Sequence, residues 1–130
     1  MGAILVVDDE PEIVGLLRMM LEREGHSVTA ATDGQAALAA LGLEPPDPTV
    51  KLPDLMILDI MMPIMDGFTL NNRLQSYPSA SGLPVIVLTA KGQKMRDLFQ
   101  NSPNVAAYVQ KPFDPKMFKD LVAGIVARKK

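Results

Sequence analysis

Three short apolar runs, each closed by a polar side chain, restrict this chain more than anything else in it. Ala3–Val7 runs into Asp8-Asp9, Leu55–Leu58 into Asp59, and Pro84–Leu88 into Thr89. Apolar runs of this length without alternation suit strands buried on both faces, and such strands belong to parallel sheets covered by helices. The segments between them follow the other period. Over residues 11–24, Ile13, Leu16, Leu17, Met20 and Leu21 recur at i, i+3, i+4, i+7 and i+8, the stripe of an amphipathic helix. Pro11 suits its first turn and Gly25 its stop.

The alternation continues to the end. Ser27–Ala31 is a weaker strand, and Thr32-Asp33-Gly34-Gln35 has the spacing of a capping box ahead of the helix AALAAL. Further helices are expected over Asp66–Ser76, about Lys94–Asn101 and Pro115–Arg128, with a fifth strand over Ala106–Val109. Five strand-helix units give a doubly wound α/β fold with a five-stranded parallel sheet. At 130 residues the chain is expected to form a single domain over 1–130, inside the usual range of roughly 100–200 residues.

Composition removes several classes of function. The net charge is −2, with 13 basic and 15 acidic residues spread along the chain, so no basic footprint for nucleic acid or an anionic membrane exists. Cysteine is absent, which rules out disulfides and thiolate metal sites and fits a reducing compartment. The N-terminal stretch lacks the basic region of a signal peptide, and no run approaches the ~18 apolar residues of a spanning helix. A soluble, cytoplasmic protein with no direct nucleic-acid or membrane binding is expected.

In doubly wound sheets ligands sit beyond the carboxyl ends of the strands. Here those ends carry Asp8-Asp9, Asp59, Thr89 and, after the fifth strand, Lys111-Pro112. Three carboxylates at one edge repel one another unless something positive lies among them, and oxygen donors select a hard cation such as Mg²⁺. An aspartate so placed can act as a nucleophile toward phosphorus, with a lysine and a hydroxyl to neutralise and bond the transferring oxygens. Asp59 therefore reads as a phosphate acceptor, with Lys111 and Thr89 beside it.

ILVVDDEP, LMILDIMMPIMDG, VIVLTAKG and YVQKPF, in that order, resemble the receiver domain of two-component response regulators along nearly the whole chain. The resemblance implies a flavodoxin-like sheet of order 2-1-3-4-5. It implies Asp9 and Asp59 as direct Mg²⁺ ligands, the backbone carbonyl of Met61 as a third, and Asp8 acting through water. Asp59 is then the phosphoacceptor, Lys111 the phosphate partner, Thr89 the switch hydroxyl and Tyr108 the aromatic that rotates from an exposed position. A sensor histidine kinase or phosphotransfer protein is the implied donor. The signal would leave through the fourth helix, fifth strand and fifth helix toward an effector or output domain that the sequence does not name. Two alternatives stand beside this reading. One is a pseudo-receiver, an interaction module not regulated by phosphorylation. The other is a haloacid-dehalogenase-type phosphatase, whose second aspartate two residues after the nucleophile is here Met61.

Departures from the family pattern add further expectations. Residues 42–54 hold four prolines, and 43–53 is expected to be a partly extended surface insertion. Ala106-Ala107 stand where many DNA-binding regulators carry an acidic pair, and Ser102-Pro103-Asn104 interrupts the approach to the fifth strand. His26, after the Gly25 stop, is expected to be exposed, and the Met61, Met62 and Met65 cluster to be loop packing. Lys111 must turn back over the strand ends while the chain leaves for the last helix, so Lys111-Pro112 is expected to be cis. Ending at Lys130, the chain reads either as a stand-alone receiver or as part of a longer regulator.

Overall fold

The computed structural model describes residues 2–59, 67–89 and 103–129, with the side chains of Phe68 and Lys129 left out. The elements are β1 (Ala3–Val7), α1 (Pro11–Arg23), β2 (Ser27–Ala31), α2 (Gly34–Ala40), β3 (Leu55–Asp59), α3 (Gly67–Gln75), β4 (Val85–Thr89), β5 (Val105–Gln110) and α4 (Pro115–Lys129). The helix expected over about 94–101, and Met61, Met62, Met65 and Asp66, lie outside the described residues. All strand pairs are parallel and the order is β2-β1-β3-β4-β5, as expected.

Alternate residues of the strands feed two separate cores, because successive side chains point to opposite faces. Leu5, Val7, Met56, Leu58, Val85 and Val87 pack toward α2 and α3. Ile4, Val6, Leu55, Ile57, Ile86 and Leu88 pack toward α1 and α4, where Phe118 is the largest fully buried side chain. Every residue of β3 and β4 is buried, which accounts for their uninterrupted apolar sequence.

Local chemistry fixes the helix ends. Past α1, Gly25 takes φ 93°, its N–H bonding the Glu22 carbonyl at 3.0 Å and that of His26 the Leu21 carbonyl at 3.2 Å. This is a Schellman stop, and it decides the fate of His26. Contrary to the expectation of exposure, His26 is 7% exposed. Its Nδ1 accepts from the Gly2 N–H at 3.0 Å, so the turn that ends α1 also holds the start of β1. The capping residue of α2 is likewise shifted. Asp33, rather than Thr32, is the N-cap and accepts from the Ala36 N–H at 2.8 Å, a stronger acceptor placed one residue nearer the helix.

The 43–53 insertion is rich in turns over its first part. Gly42, at φ 73°, closes α2 with the same two bonds, from Gly42 N–H to the Ala39 carbonyl and from Leu43 N–H to the Leu38 carbonyl, both 3.0 Å. A Cβ there would lie 2.7 Å from the Asp47 carbonyl oxygen, so the turn requires glycine. Leu43 and Leu52 pack against the α2/α3 core. Between them Glu44 receives two bonds from Arg73, at 2.8 and 2.7 Å, and one from the Tyr77 hydroxyl. The Glu44-Pro45 bond is cis, which the sequence did not suggest.

The approach to β5 rests on a buried amide pair. Asn104 donates to Asn71 Oδ1 at 2.8 Å and to the Leu83 carbonyl at 3.3 Å, while its own carbonyl accepts from Val85 N–H at 3.0 Å. One residue later the register slips from Val85↔Val105 to Ile86↔Ala107, leaving Ala106 as the bulge.

Two measurements check these anchors. Asn104→Leu strands the fully buried Asn71 amide, and urea unfolding should show a loss of about 1–3 kcal/mol; Asn71→Leu/Asn104→Leu should lose less than the sum of the single changes. The bonds from Arg73 and then Tyr77 hold the Glu44 carboxyl below its ordinary pKa. Its contribution to stability is therefore full above the unfolded value and lost as pH falls through the depressed folded one. Glu44→Gln should be less stable than the parent near neutrality, and the two should converge in acid.

Candidate functional site

Parallel strands deliver their polar ends to one edge. Asp8 and Asp9 follow β1, Asp59 ends β3, Thr89 ends β4 and Lys111 follows β5. Asp59 pairs with Leu88, so Thr89 is one residue beyond Asp59's partner, and Thr89 itself pairs with Gln110. Asp8, Asp59 and Thr89 are 0, 4 and 2% exposed, whereas Asp9 lies in the open.

Backbone bonds hold these side chains in place. Asp8 N–H reaches the Ala31 carbonyl at 3.1 Å, and Asp8 Oδ1 accepts from Glu10 N–H at 2.9 Å as the chain turns into α1. Lys111 N–H bonds the Thr89 carbonyl at 2.8 Å, which seats the lysine beside the end of β4. The Lys111-Pro112 bond is cis, as expected. From there the Lys111 ammonium lies 3.1 Å from Glu10 Oε1, 3.3 Å from Asp8 Oδ2 and 3.6 Å from Asp59 Oδ1.

Glu10 is the member that sequence reasoning missed. One carboxylate oxygen from each of Asp8, Asp9, Glu10 and Asp59 falls within 4.8 Å of the others. Glu10 directly follows the two strand-end acids and sits at the N-cap of α1, and that adjacency was the available signal. The all-oxygen donor set is of the kind that binds a hard divalent cation.

Tyr108 is half-buried rather than exposed. It stands beside Val87 and packs against the α2/α3 core, because the bulge at Ala106 turns it to that face of the sheet. Met61 lies outside the described residues.

Burial opposes the charge on the Lys111 ammonium. The hydrogen bond to Glu10, then the charges of Asp59 and Asp8, outweigh it and hold the lysine's pKa above its ordinary value.

A doubly wound domain with buried carboxylates and one lysine converging at the carboxyl edge of its sheet defines a class of site suited to a cation and an anionic group together. The comparisons with known proteins are narrower. The sequence matches the response regulator receiver domain over residues 4–123. An uncharacterised 14.6 kDa protein from the sodA1 3′ region of Leptolyngbya boryana is 41% identical over 112 residues, 86% of this chain and 80% of that one. The alkaline phosphatase synthesis transcriptional regulatory protein PhoP of Bacillus subtilis (strain 168) is 36% identical over 125 residues, 96% of this chain and 48% of PhoP. This chain thus spans about half the length of several curated relatives that it matches. Among solved structures, one described as a response regulator from Chloroflexus aurantiacus J-10-fl superposes with a TM-score of 0.84 at 30% identity, covering 98% of each chain. The chain belongs to the response regulator receiver domain family of two-component signalling.

The raised lysine has a measurable consequence. Its stabilising effect is full below the unfolded lysine pKa of about 10.4 and is lost as pH rises through the higher folded value. With chelator present, unfolding followed above pH 10 should fall off more steeply for the parent than for Lys111→Met.

Proposed function

We propose that this receiver is a phosphorylation-dependent switch in which Asp59 takes a phosphoryl group from a sensor histidine kinase or phosphotransfer protein. The observation that carries the reading is the Lys111 ammonium lying within 3.6 Å of both Asp8 and Asp59, two buried carboxylates at one sheet edge. An Asp59 oxygen attacks phosphorus, the bond from phosphorus to the donor breaks, and the donor leaves with the electron pair. Lys111 gives the transferring oxygens a positive partner from the adjoining strand end. The Thr89 hydroxyl donates to a phosphoryl oxygen.

Asp9, Asp59 and the Met61 backbone carbonyl would hold Mg²⁺ directly, with Asp8 acting through water. When bound, that ion neutralises charge between Asp59 and the incoming group. Residues 1–130 act as one receiver domain in the cytoplasm. The change passes from Thr89, drawn toward the phosphoryl group, to Tyr108, whose half-buried ring rotates into the space vacated beside β5, and so to the surface of β5, α4 and the segment before them. A phosphoryl group brings up to two negative charges, enough to shift arrangements that differ by only a few kcal/mol.

Intact-mass measurement tests the chemistry. A small acyl-phosphate donor with Mg²⁺ should add one phosphoryl group without a kinase, and chelation or Asp59→Asn should abolish it. Label persisting in Asp59→Asn would point to another acceptor. Thr89→Ala should weaken the phosphate-dependent changes in hydrogen exchange over residues 89–120; undiminished changes would reject the relay.

A further inference from the structure

Among the described residues, the nearest side-chain partner of the Lys111 ammonium is one that the proposed chemistry does not use. Its ammonium donates to Glu10 Oε1 at 3.1 Å, nearer than Asp8 Oδ2 at 3.3 Å or Asp59 Oδ1 at 3.6 Å. Glu10 occupies the N-cap of α1, where a side chain ordinarily accepts from the first turn, yet it makes no side-chain cap bond. The backbone beneath it is pinned by the bond from Glu10 N–H to Asp8 Oδ1 at 2.9 Å, which aims the carboxylate across the strand ends.

The two hydrogen-bonded partners of the lysine differ in what they lose by release. Asp8 is fully buried, so losing the ammonium would take a positive partner from a charge that water cannot reach. Glu10 is 59% exposed, and water can replace the lysine at little cost. When an anionic group arrives at Asp59 and claims one of the three ammonium donors, Glu10 is the partner that yields.

We infer that Glu10 is a positioning residue that acts through Lys111: it holds the ammonium on the solvent side of the resting site and competes with the incoming phosphoryl oxygens for it. The inference rests on the reading of Asp59 as acceptor. Breaking the hold is a step that phosphorylation must include, so Glu10 slows loading of the switch.

The experiment measures the second-order rate constant for phosphorylation by a small acyl phosphate, at saturating Mg²⁺ for every variant, with intact mass as readout. Glu10→Gln removes the charge at constant length and should raise the rate by about two- to fivefold, the range of a largely exposed ion pair. Glu10→Asp keeps the charge but is one methylene too short for the lysine, and should behave like Glu10→Gln. In a Lys111→Met background, Glu10→Gln should change nothing. Without donor, the ε-methylene resonances of Lys111 should move in both Glu10 variants.

An Asp59 that takes no phosphoryl group in the parent would overturn the acceptor reading and this inference together. An Asp59-dependent reaction that Glu10→Gln leaves unchanged or slows would overturn the inference alone. So would a Glu10→Asp rate equal to the parent's, or an acceleration that survives in Lys111→Met, since either means that Glu10 repels the donor directly.

Discussion

The ion-pair cluster around the Lys111 ammonium is what permits the rest of the sheet edge. Asp8 and Asp59 are buried beside strands that are apolar on both faces, an environment in which an unpaired carboxylate is strongly disfavoured. One cation reaches both, and it arrives from the far end of the sheet because β5 is parallel to β1 and β3 and ends at the same edge. The position of the lysine is set in turn by its backbone bond to Thr89. Fold and site are therefore one arrangement: parallel strands collect the carboxylates at one edge and bring a lysine to the same edge to offset their charge.

Much of this was legible in the sequence, for physical reasons that differ by element. Strands buried on both faces leave no room for polar side chains, so β1, β3 and β4 stand out as apolar runs and the polar residues that end them mark the edge. The order of the strands came from the family resemblance and agrees with the observed sheet. Asp8, Asp9, Asp59 and Lys111 were found by position alone, and the structure brings them together.

Other features depend on partners distant in sequence and left no periodic trace. Glu10 was passed over because its contact with Lys111 lies 101 residues away. The Asn71–Asn104 pair joins two amides 33 residues apart, each unremarkable alone. The burial of His26 comes with a bond from Gly2 N–H, 24 residues away, that the sequence around it does not announce. At α2, Thr32 and Asp33 both suit a cap, and the choice between them turns on a one-residue offset that pattern does not resolve. The prolines mark the insertion as a partly extended surface loop but do not show that Leu43, Leu52 and the Glu44–Arg73 bonds fold it onto α3.

Strand β5 is fastened unequally at its two ends. Where it begins, Asn104 is locked to α3 and to the turn before β4 by buried hydrogen bonds. Where it ends, about 20 Å away at the usual strand rise, Lys111 is held by charges that a new anion can redistribute. Between them the bulge at Ala106 interrupts the ladder and sets off the stretch that carries Tyr108. β5 is thus built as a cantilever with a fixed root and a loaded tip. The tip hangs on charges at the protein's surface, while the buried amides at the root tie the strand to α3 and to the turn before β4.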